Sequence, residues 1–341
     1  MIKAILFDVG GVLQENVSRY AKEDMREYFG LDATTIDVLS DELIAGELGI
    51  GKISEREFWK KFLARINSKQ PLPEESLLVR KFRERYQPHQ EVLAIAKTLK
   101  GNGYKIAVVS NTIEPHVRFN EKMGLYDDFP VRIFSSEVGM RKEDPRMFQM
   151  ALYKLGVSPE EAVHIDDEPR YLDIVRGLEM EGILFKDAGG LEKDFDALGI
   201  EWVAHGAGII VVRSDGSVLM QHRENKPDIF YPDHWAYPAG SVEKGEDFES
   251  AARRELREET GYIAKEIYPL PEEEYIRSDG QIVRRHIFGT LYDGKQEIQC
   301  HEGREMRFVP LDFLEDKKLL PGQERLIRLM VQEVKSRGLL D

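Results

Sequence analysis

Over the first two hundred residues, short β-branched apolar runs alternate with stretches of helical period, the pattern of a parallel sheet wrapped by helices. Strands are predicted at Ala4 to Phe7, Ile106 to Val109, Ile133 to Ser135, Val163 to Ile165 and Ile183 to Phe185. Between the first two lies an insert from about Gln14 to Tyr86 with the pattern of several amphipathic helices. One of these opens with a capping box, Ser54 with Glu57, ahead of Phe58, Trp59 and Phe62. An all-helical cap over the sheet is the expected use.

Near residue 200 the pattern changes. Gly208 to Val212, the turn Ser214-Asp215-Gly216-Ser217 and Val218 to Met220 spell a β-hairpin with an Asp-Gly turn. A helix follows at Phe248 to Thr260, then strands around Ile282 to Tyr292 and Arg307 to Val309, and a closing helix from about Gln323 to Lys335. There is no internal repeat, low-complexity tract or long linker, so the join around Leu191 to Trp202 is expected to be compact. Two α/β domains follow, residues 1–197, with a cap over about 14–88, and residues 203–341.

Composition narrows the function classes. The chain has 341 residues, too many for one ordinary core, with 42% hydrophobic and 32% charged residues. No apolar run approaches the roughly eighteen residues of a membrane helix. The start, Met1-Ile2-Lys3-Ala4-Ile5-Leu6-Phe7, reaches Asp8 without a small-residue cleavage site, so a cytoplasmic protein with no membrane partner is expected. One cysteine, Cys300, makes neither an internal disulfide nor a zinc site, and is expected to be a half-buried strand residue. A net charge of −14 argues against nucleic-acid partners. Small anionic substrates fit only if carboxylates recruit a divalent cation to bridge them. No feature of the sequence fixes an oligomeric state.

The most specific local pattern meets that demand. From Gly240, five residues lead to Glu246, seven more to Arg254-Glu255-Leu256, and then come Glu258-Glu259 and Gly261. On a helix Glu255, Glu258 and Glu259 stand at i, i+3 and i+4 and share one face, where like charges repel unless a cation sits among them. Hard oxygen ligands at that density suit Mg²⁺ or Mn²⁺. Ala251, Ala252 and Leu256 supply the opposite face for packing.

This segment resembles the Nudix box, G-x5-E-x7-R-E-U-x-E-E-x-G-U, departing only at Tyr262, where an aliphatic residue is usual. Trp235 to Gly240 is similar to the family's W-x-x-P-G-G approach, with Ala239 in place of the first glycine. His301-Glu302-Gly303 through Phe308 resembles a later segment that carries a further metal-binding glutamate in some members. The resemblance implies a Nudix α/β/α sandwich in which Glu255, Glu258, Glu259, Glu302 and the Ala239 carbonyl hold metal, while Arg254 and Glu246 orient the cluster. One of the glutamates would assist as base. Arg223 is either a phosphate contact or an exposed arginine.

In the first domain, Asp8 ends the first strand on the turn Val9-Gly10-Gly11, and ligands of open α/β sheets bind at such edges. Ser110-Asn111, Lys142 and Asp166-Asp167 end or follow other predicted strands. Together these segments resemble the haloacid dehalogenase superfamily across about residues 1 to 195, a doubly wound parallel sheet with a helical cap. The resemblance implies Asp8 as nucleophile, forming an aspartyl-phosphate. Ser110, Asn111 and Lys142 would hold the phosphoryl group, and Asp8, Asp166, Asp167 and the Gly10 carbonyl would face Mg²⁺. Most phosphatases of that superfamily carry a second aspartate as general acid and base where this chain has Gly10. Glu143, where proline usually follows the lysine, is taken as a tolerated loop change. Active phosphatase, binding domain and other chemistry such as dehalogenation all remain open for this half.

The two resemblances are chemically sequential: cutting a diphosphate bridge leaves phosphomonoesters, which a phosphatase consumes. A bifunctional hydrolase of small phosphorylated metabolites is therefore expected, acting on a nucleotide sugar or nucleotide. The alternatives are an active Nudix half with a weak or inactive first half used for binding or regulation, and a nucleotide sensor without turnover.

Overall fold

The computed structural model describes all residues except Val17, Asp228, Asp316 and Asp341. The chain divides into two compact units, Met1–Trp202 and Val203–Asp341.

The first unit holds a parallel sheet of β1 (Ala4–Phe7), β2 (Lys105–Ser110), β3 (Val131–Phe134), β4 (Ala162–Asp166) and β5 (Glu181–Leu184), in the order β3-β2-β1-β4-β5. All four residues of β1 are buried, as expected of a central strand covered on both faces. Met147, Phe148, Ala151, Leu152 and Leu155 of the helix Arg146–Leu155 pack on Ala4, Leu6, Ala107 and Val109. Each large side chain so buried contributes roughly 1.5–3 kcal/mol. Register decides where the chemistry goes: Phe7 is opposite both Val108 and Ile165, so Asp8, Ser110 and Asp166 emerge together at the carboxyl edge.

The cap consists of the helices Ser18–Phe29, Ala33–Leu39, Glu55–Arg65 and Arg80–Glu84, with a π-helix at Ser40–Leu48. Phe58, Trp59, Phe62, Leu77 and Leu78 build its core. The capping box forms, with Ser54 N donating to Glu57 Oε2 at 2.9 Å and Glu57 N to Ser54 Oγ at 3.3 Å. Ser135, expected to end a strand, instead opens the short helix Ser135–Val138, and its hydroxyl donates to Gly49 O at 2.6 Å. That bond ties cap to sheet. Gly51 closes the same seam at φ +64°, where a Cβ would lie 2.1 Å from Ser136 O. The last strand runs Glu181–Leu184, one residue short of the expected Phe185.

The second unit is built on a mixed sheet of β6 (Ala204–Val212), β7 (Val218–His222), β8 (Trp235–Ala236), β9 (Ala239–Ser241), β10 (Tyr268–Pro269), β11 (Glu273–Ile276), β12 (Ile282–Leu291) and β13 (Glu305–Val309). Its main path is β10-β12-β6-β7-β13, with β6 and β12 parallel from Ala204↔Val283 to Val212↔Leu291. The hairpin closes at Val212↔Val218, where the Asp215 carboxylate accepts from Ser217 N at 2.9 Å and Gly216 takes φ +81°.

Alternation along β6 makes the sandwich. Ile210 and Val212 face Leu326, Ile327 and Met330 of the helix Gln323–Ser336, while Ala207, Ile209 and Val211 face Ala251, Ala252 and Leu256 of the helix Phe248–Thr260. Tyr262 fills the aliphatic slot of the motif because its ring joins that core while its hydroxyl donates to Leu291 O at 3.3 Å.

Cys300 departs from expectation: it is exposed and belongs to no strand. Its neighbours explain this, since Gln299 N and His301 N donate to Thr260 O and Glu259 O at 3.0 and 2.9 Å, tying the segment to the helix end rather than to the sheet. Among the described residues no helix is long and apolar enough to cross a membrane.

Candidate active sites

At the carboxyl edge of the first sheet, Asp8, Asp166 and Asp167 each offer an oxygen within 4.8 Å of the others. Lys142, 1% exposed, reaches between two of them: its ammonium donates to Asp166 Oδ2 at 2.6 Å and stands 3.0 Å from Asp8 Oδ1. The second contact lacks hydrogen-bond alignment, so Asp8 Oδ1 is buried without a bonded partner in the protein.

Burial pushes the Asp8 carboxyl up, against the pull of Lys142. Burial also opposes ionisation of Asp166, but the hydrogen bond from His164 and the Lys142 charge outweigh it and hold that carboxyl at about 2. Asp167 is pushed up to about 6 by burial and by the neighbouring Asp8 and Asp166. Lys142 is raised, its burial outweighed by the same two aspartates.

A cavity of about 290 Å³ opens from this edge under the cap. Asp8, Gly10, Ser110, Asn111 and Lys142 line it from below, and Lys22, Ser40 and Ile44 from the cap. Asn111 serves Lys142 rather than facing the cavity alone. Its Oδ1 accepts from Lys142 N at 2.9 Å and its Nδ2 donates to the Tyr171 hydroxyl at 2.9 Å.

Glu143 is accommodated by its neighbours: Tyr171 Oη donates to it at 3.3 Å and Arg141 pairs with it at 3.4 Å. His164, Tyr171 and Arg170 were not singled out by motif. His164 was detectable as a polar residue inside the apolar run Val163-His164-Ile165; its ring nitrogens face Leu6 O at 3.2 Å and Asp166 Oδ2 at 2.9 Å. Tyr171 places its ring 4.1 Å from the Lys142 ammonium.

The second unit's site is arranged by one helix and one arginine. Asp247 caps the helix Phe248–Thr260, accepting from Ser250 N at 2.9 Å, and Gly261 ends it at φ +71°. Arg254 grips Glu246 through Nε at 3.0 Å and Nη2 at 2.9 Å, and turns Nη1 to Glu255 at 2.7 Å and Glu258 at 3.3 Å. This bidentate clamp fixes the direction of the helix carboxylates.

Glu259 is 5% exposed and accepts from Ala239 N and from Gln221 Nε2, both at 3.3 Å. Gln221 also donates to Glu302 O at 3.1 Å, which brings Glu302 beside the helix. Burial, then the charges of Glu302 and Glu255, push the Glu259 carboxyl well above the usual range.

Glu255, Glu259, Glu302, Ala239 and Arg223 share a cavity of about 270 Å³. Glu258 is not among its lining residues; its side chain is 54% exposed. Arg223 is half-buried at the rim and donates to Phe230 O at 3.1 Å. Gln221, the bridge between Glu259 and Glu302, was not among the expected site residues.

Both donor sets suit a hard divalent cation. In the first, a buried carboxylate oxygen without a bonded partner stands among converging carboxylates. In the second, Gly240 leaves a cradle that a Cβ would fill, 2.2 Å from the Glu255 carboxylate. Among the described residues, the first site's carboxylates are the ones gathered within 4.8 Å; the glutamates of the second are spread more widely.

Residues 2–173 match the family model described as haloacid dehalogenase-like hydrolase, and residues 203–330 the model described as NUDIX domain. A phosphoserine phosphatase of Thermus thermophilus is 36% identical over 104 residues, 30% of this chain and 40% of that protein. A glyceraldehyde 3-phosphate phosphatase of Methanopyrus kandleri is 30% identical over 202 residues, 54% of this chain and 82% of that protein. An RNA pyrophosphohydrolase of Pelagibacter ubique is 33% identical over 111 residues, 32% of this chain and 63% of that protein. The chain thus spans less than two thirds of the first and third of these relatives.

Proposed function

Since the chain belongs to the haloacid dehalogenase-like hydrolases through residues 2–173 and carries a NUDIX domain at residues 203–330, we propose that it is a bifunctional hydrolase of small phosphorylated metabolites. The second unit cleaves the diphosphate bond of a nucleoside diphosphate-linked substrate, and the first removes the phosphoryl group from a phosphomonoester. The observation that carries this proposal is that each unit has its own cavity with carboxylates at it: Asp8, with Asp166 and Asp167 gathered beside it, in the first, and Glu255, Glu259 and Glu302 in the second.

In the first unit, an Asp8 carboxylate oxygen attacks phosphorus as the bond to the leaving oxygen breaks, giving an aspartyl-phosphate that water then hydrolyses. Lys142, fixed between Asp8 and Asp166, spreads its charge over the phosphoryl oxygens, with Ser110 beside it. Gly10 offers no acid to the leaving group, whose proton comes from solvent in the cavity; the lost help is worth about 10²- to 10⁴-fold.

In the second unit, Arg254 holds Glu255 and Glu258 in line, and Gln221 holds Glu259 against Glu302. Glu255 or Glu258 takes the proton from the attacking water as the bridging P–O bond breaks. Bound Mg²⁺ or Mn²⁺, held by Asp8, Asp166 and Asp167 in one unit and by Glu255, Glu259 and Glu302 in the other, would neutralise phosphate charge and acidify water. The products of the second unit are substrates in kind for the first.

A second reading, in which the first unit binds a phosphorylated ligand without turnover, is favoured by Gly10, beside which the side chain of Asn16 stands 3.9 Å from where a Cβ would be. The full-length protein with Mg²⁺, assayed on nucleotide sugars, dinucleotides and sugar phosphates, decides. Asp8→Asn is expected to lower phosphate release from monoesters by at least about 10³-fold and spare diphosphate cleavage, and Glu259→Gln to do the reverse. Absence of phosphate release from every monoester would move the first unit to the second reading.

A further inference from the structure

Lys142 enters the first site from a turn, and its long flexible stem must be held if the charge is to stand in one place. Of the three hydrogens on its ammonium, one goes to Asp166 Oδ2 at 2.6 Å, while the 3.0 Å contact with Asp8 Oδ1 is not aligned as a hydrogen bond. The other hydrogens are left for an incoming phosphoryl group. The Tyr171 ring, its centroid 4.1 Å from the ammonium, holds the charge there without using them. An aromatic face attracts a cation electrostatically, yet it carries no net charge. A carboxylate in the same place would neutralise the lysine, and an aliphatic side chain would leave it free to swing toward the two aspartates.

The hydroxyl of the same side chain holds the lysine's backbone. Tyr171 Oη accepts from Asn111 Nδ2 at 2.9 Å, and Asn111 Oδ1 accepts from Lys142 N at 2.9 Å. Tyr171 Oη in turn donates at 3.3 Å to Glu143 Oε1, on the residue next to Lys142, and Asn111 Nδ2 donates to Glu143 Oε2 at 3.4 Å. Both ends of Lys142 are therefore tied to one tyrosine, the ammonium through the ring and the main chain through the hydroxyl and Asn111.

The surroundings fix that tyrosine. It is 3% exposed and lies in the first turn of the helix Pro169–Arg176, which starts just after Asp166 and Asp167. Arg141 and Arg170 stand 3.4 and 3.6 Å from the Glu143 carboxylate, so the anchor brings no unanswered negative charge to a site that must take an anion. The Arg170 guanidinium also lies 4.6 Å from the Tyr171 ring.

We propose that Tyr171 is a positioning residue for Lys142: its ring sets the ammonium against the phosphoryl oxygens, and Glu143 and Asn111 fix the ring. Tyr171 acts through the lysine rather than on the reacting atoms. The proposal rests on the first unit working on phosphomonoesters.

Full-length protein with Mg²⁺ tests it, by steady-state hydrolysis of p-nitrophenyl phosphate and by calorimetric titration with inorganic phosphate. Tyr171→Leu is expected to lower kcat about twentyfold and to weaken phosphate about fivefold at unchanged stoichiometry. A merely structural role would instead lower the stoichiometry, as misfolded protein drops out, and leave the affinity of the rest alone. Tyr171→Phe keeps the ring and is expected to retain at least about a third of kcat and of phosphate affinity. In a Lys142→Met background, adding Tyr171→Leu is expected to change neither readout further, because the group it positions is gone.

Wild-type values in Tyr171→Leu, equal losses in Tyr171→Phe and Tyr171→Leu, or the full loss repeated in the Lys142→Met background would overturn the proposal. A wild-type protein that hydrolyses no monoester would sink the phosphatase reading alone. Phosphate affinities falling from wild type through Tyr171→Phe to Tyr171→Leu would then still uphold the positioning of Lys142.

Discussion

The two carboxylate sites are built by opposite constructions. In the first unit, Asp8, Ser110, Lys142 and Asp166 come from four separated segments, and the register of β1 between β2 and β4 brings strand ends to one edge. In the second, Glu255, Glu258 and Glu259 come from one helix, the first two aimed by Arg254 and the third held by Gln221 and the Ala239 N–H. The first site is dense and buried, with Lys142 inside it; the second is spread, with one glutamate facing solvent. Density at the first site depends on a whole sheet being correct. Aim at the second depends on the Arg254 clamp on Glu255 and Glu258 and on the hydrogen bonds from Gln221 and Ala239 N to Glu259.

That contrast can be broken at a glycine in each unit. Gly240→Ala places a methyl group 2.2 Å from the Glu255 carboxyl carbon, and Arg254 limits where that carboxylate can go. Displacement by about an ångström is expected to lower kcat for diphosphate cleavage about 10²-fold, measured with monoester hydrolysis as the internal control. Gly11→Ala sets a methyl 2.2 Å from Asp167 Oδ2 at φ +85°. Asp167 is only half-buried and can swing aside, so the loss of monoester hydrolysis is expected to be nearer tenfold. Steady-state kinetics on both substrates of both variants would show whether each effect stays in its own unit.

The difference in construction also explains what could be seen in the sequence. The helix glutamates were legible because i, i+3 and i+4 spacing is a local rule, and the helix spans the expected residues. The four segments of the first site were legible because each ends or follows a β-branched run at a sheet edge. Contacts made through tertiary register were not. Gln221 joins Glu259 to Glu302 from a neighbouring strand, and Glu143 reaches Asn111 and Tyr171 across a turn, with no spacing to announce either. Cys300 was misplaced for the same reason: backbone bonds from its neighbours to a distant helix end keep it out of the sheet.

A smaller effect probes the seam between cap and sheet in the first unit. Burial holds His116 at about 4, below its ordinary 6.5, and its Nε2 is 2.7 Å from Leu78 O. A depressed histidine is neutral in the folded protein while the unfolded chain takes up a proton. Stability present at neutral pH is therefore lost as pH falls from about 6.5 to about 4, by about 3 kcal/mol. His116→Gln keeps a donor for Leu78 and is expected to flatten that loss in urea titrations across this range. An unchanged slope would show that other groups govern acid sensitivity.

The central claim is that two separate carboxylate clusters each seat a divalent cation. Manganese binding to the full-length protein, followed by electron paramagnetic resonance, tests it most directly when wild type is set beside Asp166→Asn and Glu259→Gln. Wild type should bind at least one ion per unit, and each variant should lose the sites of its own unit while keeping those of the other. Unchanged stoichiometry and affinity in both variants would contradict the account.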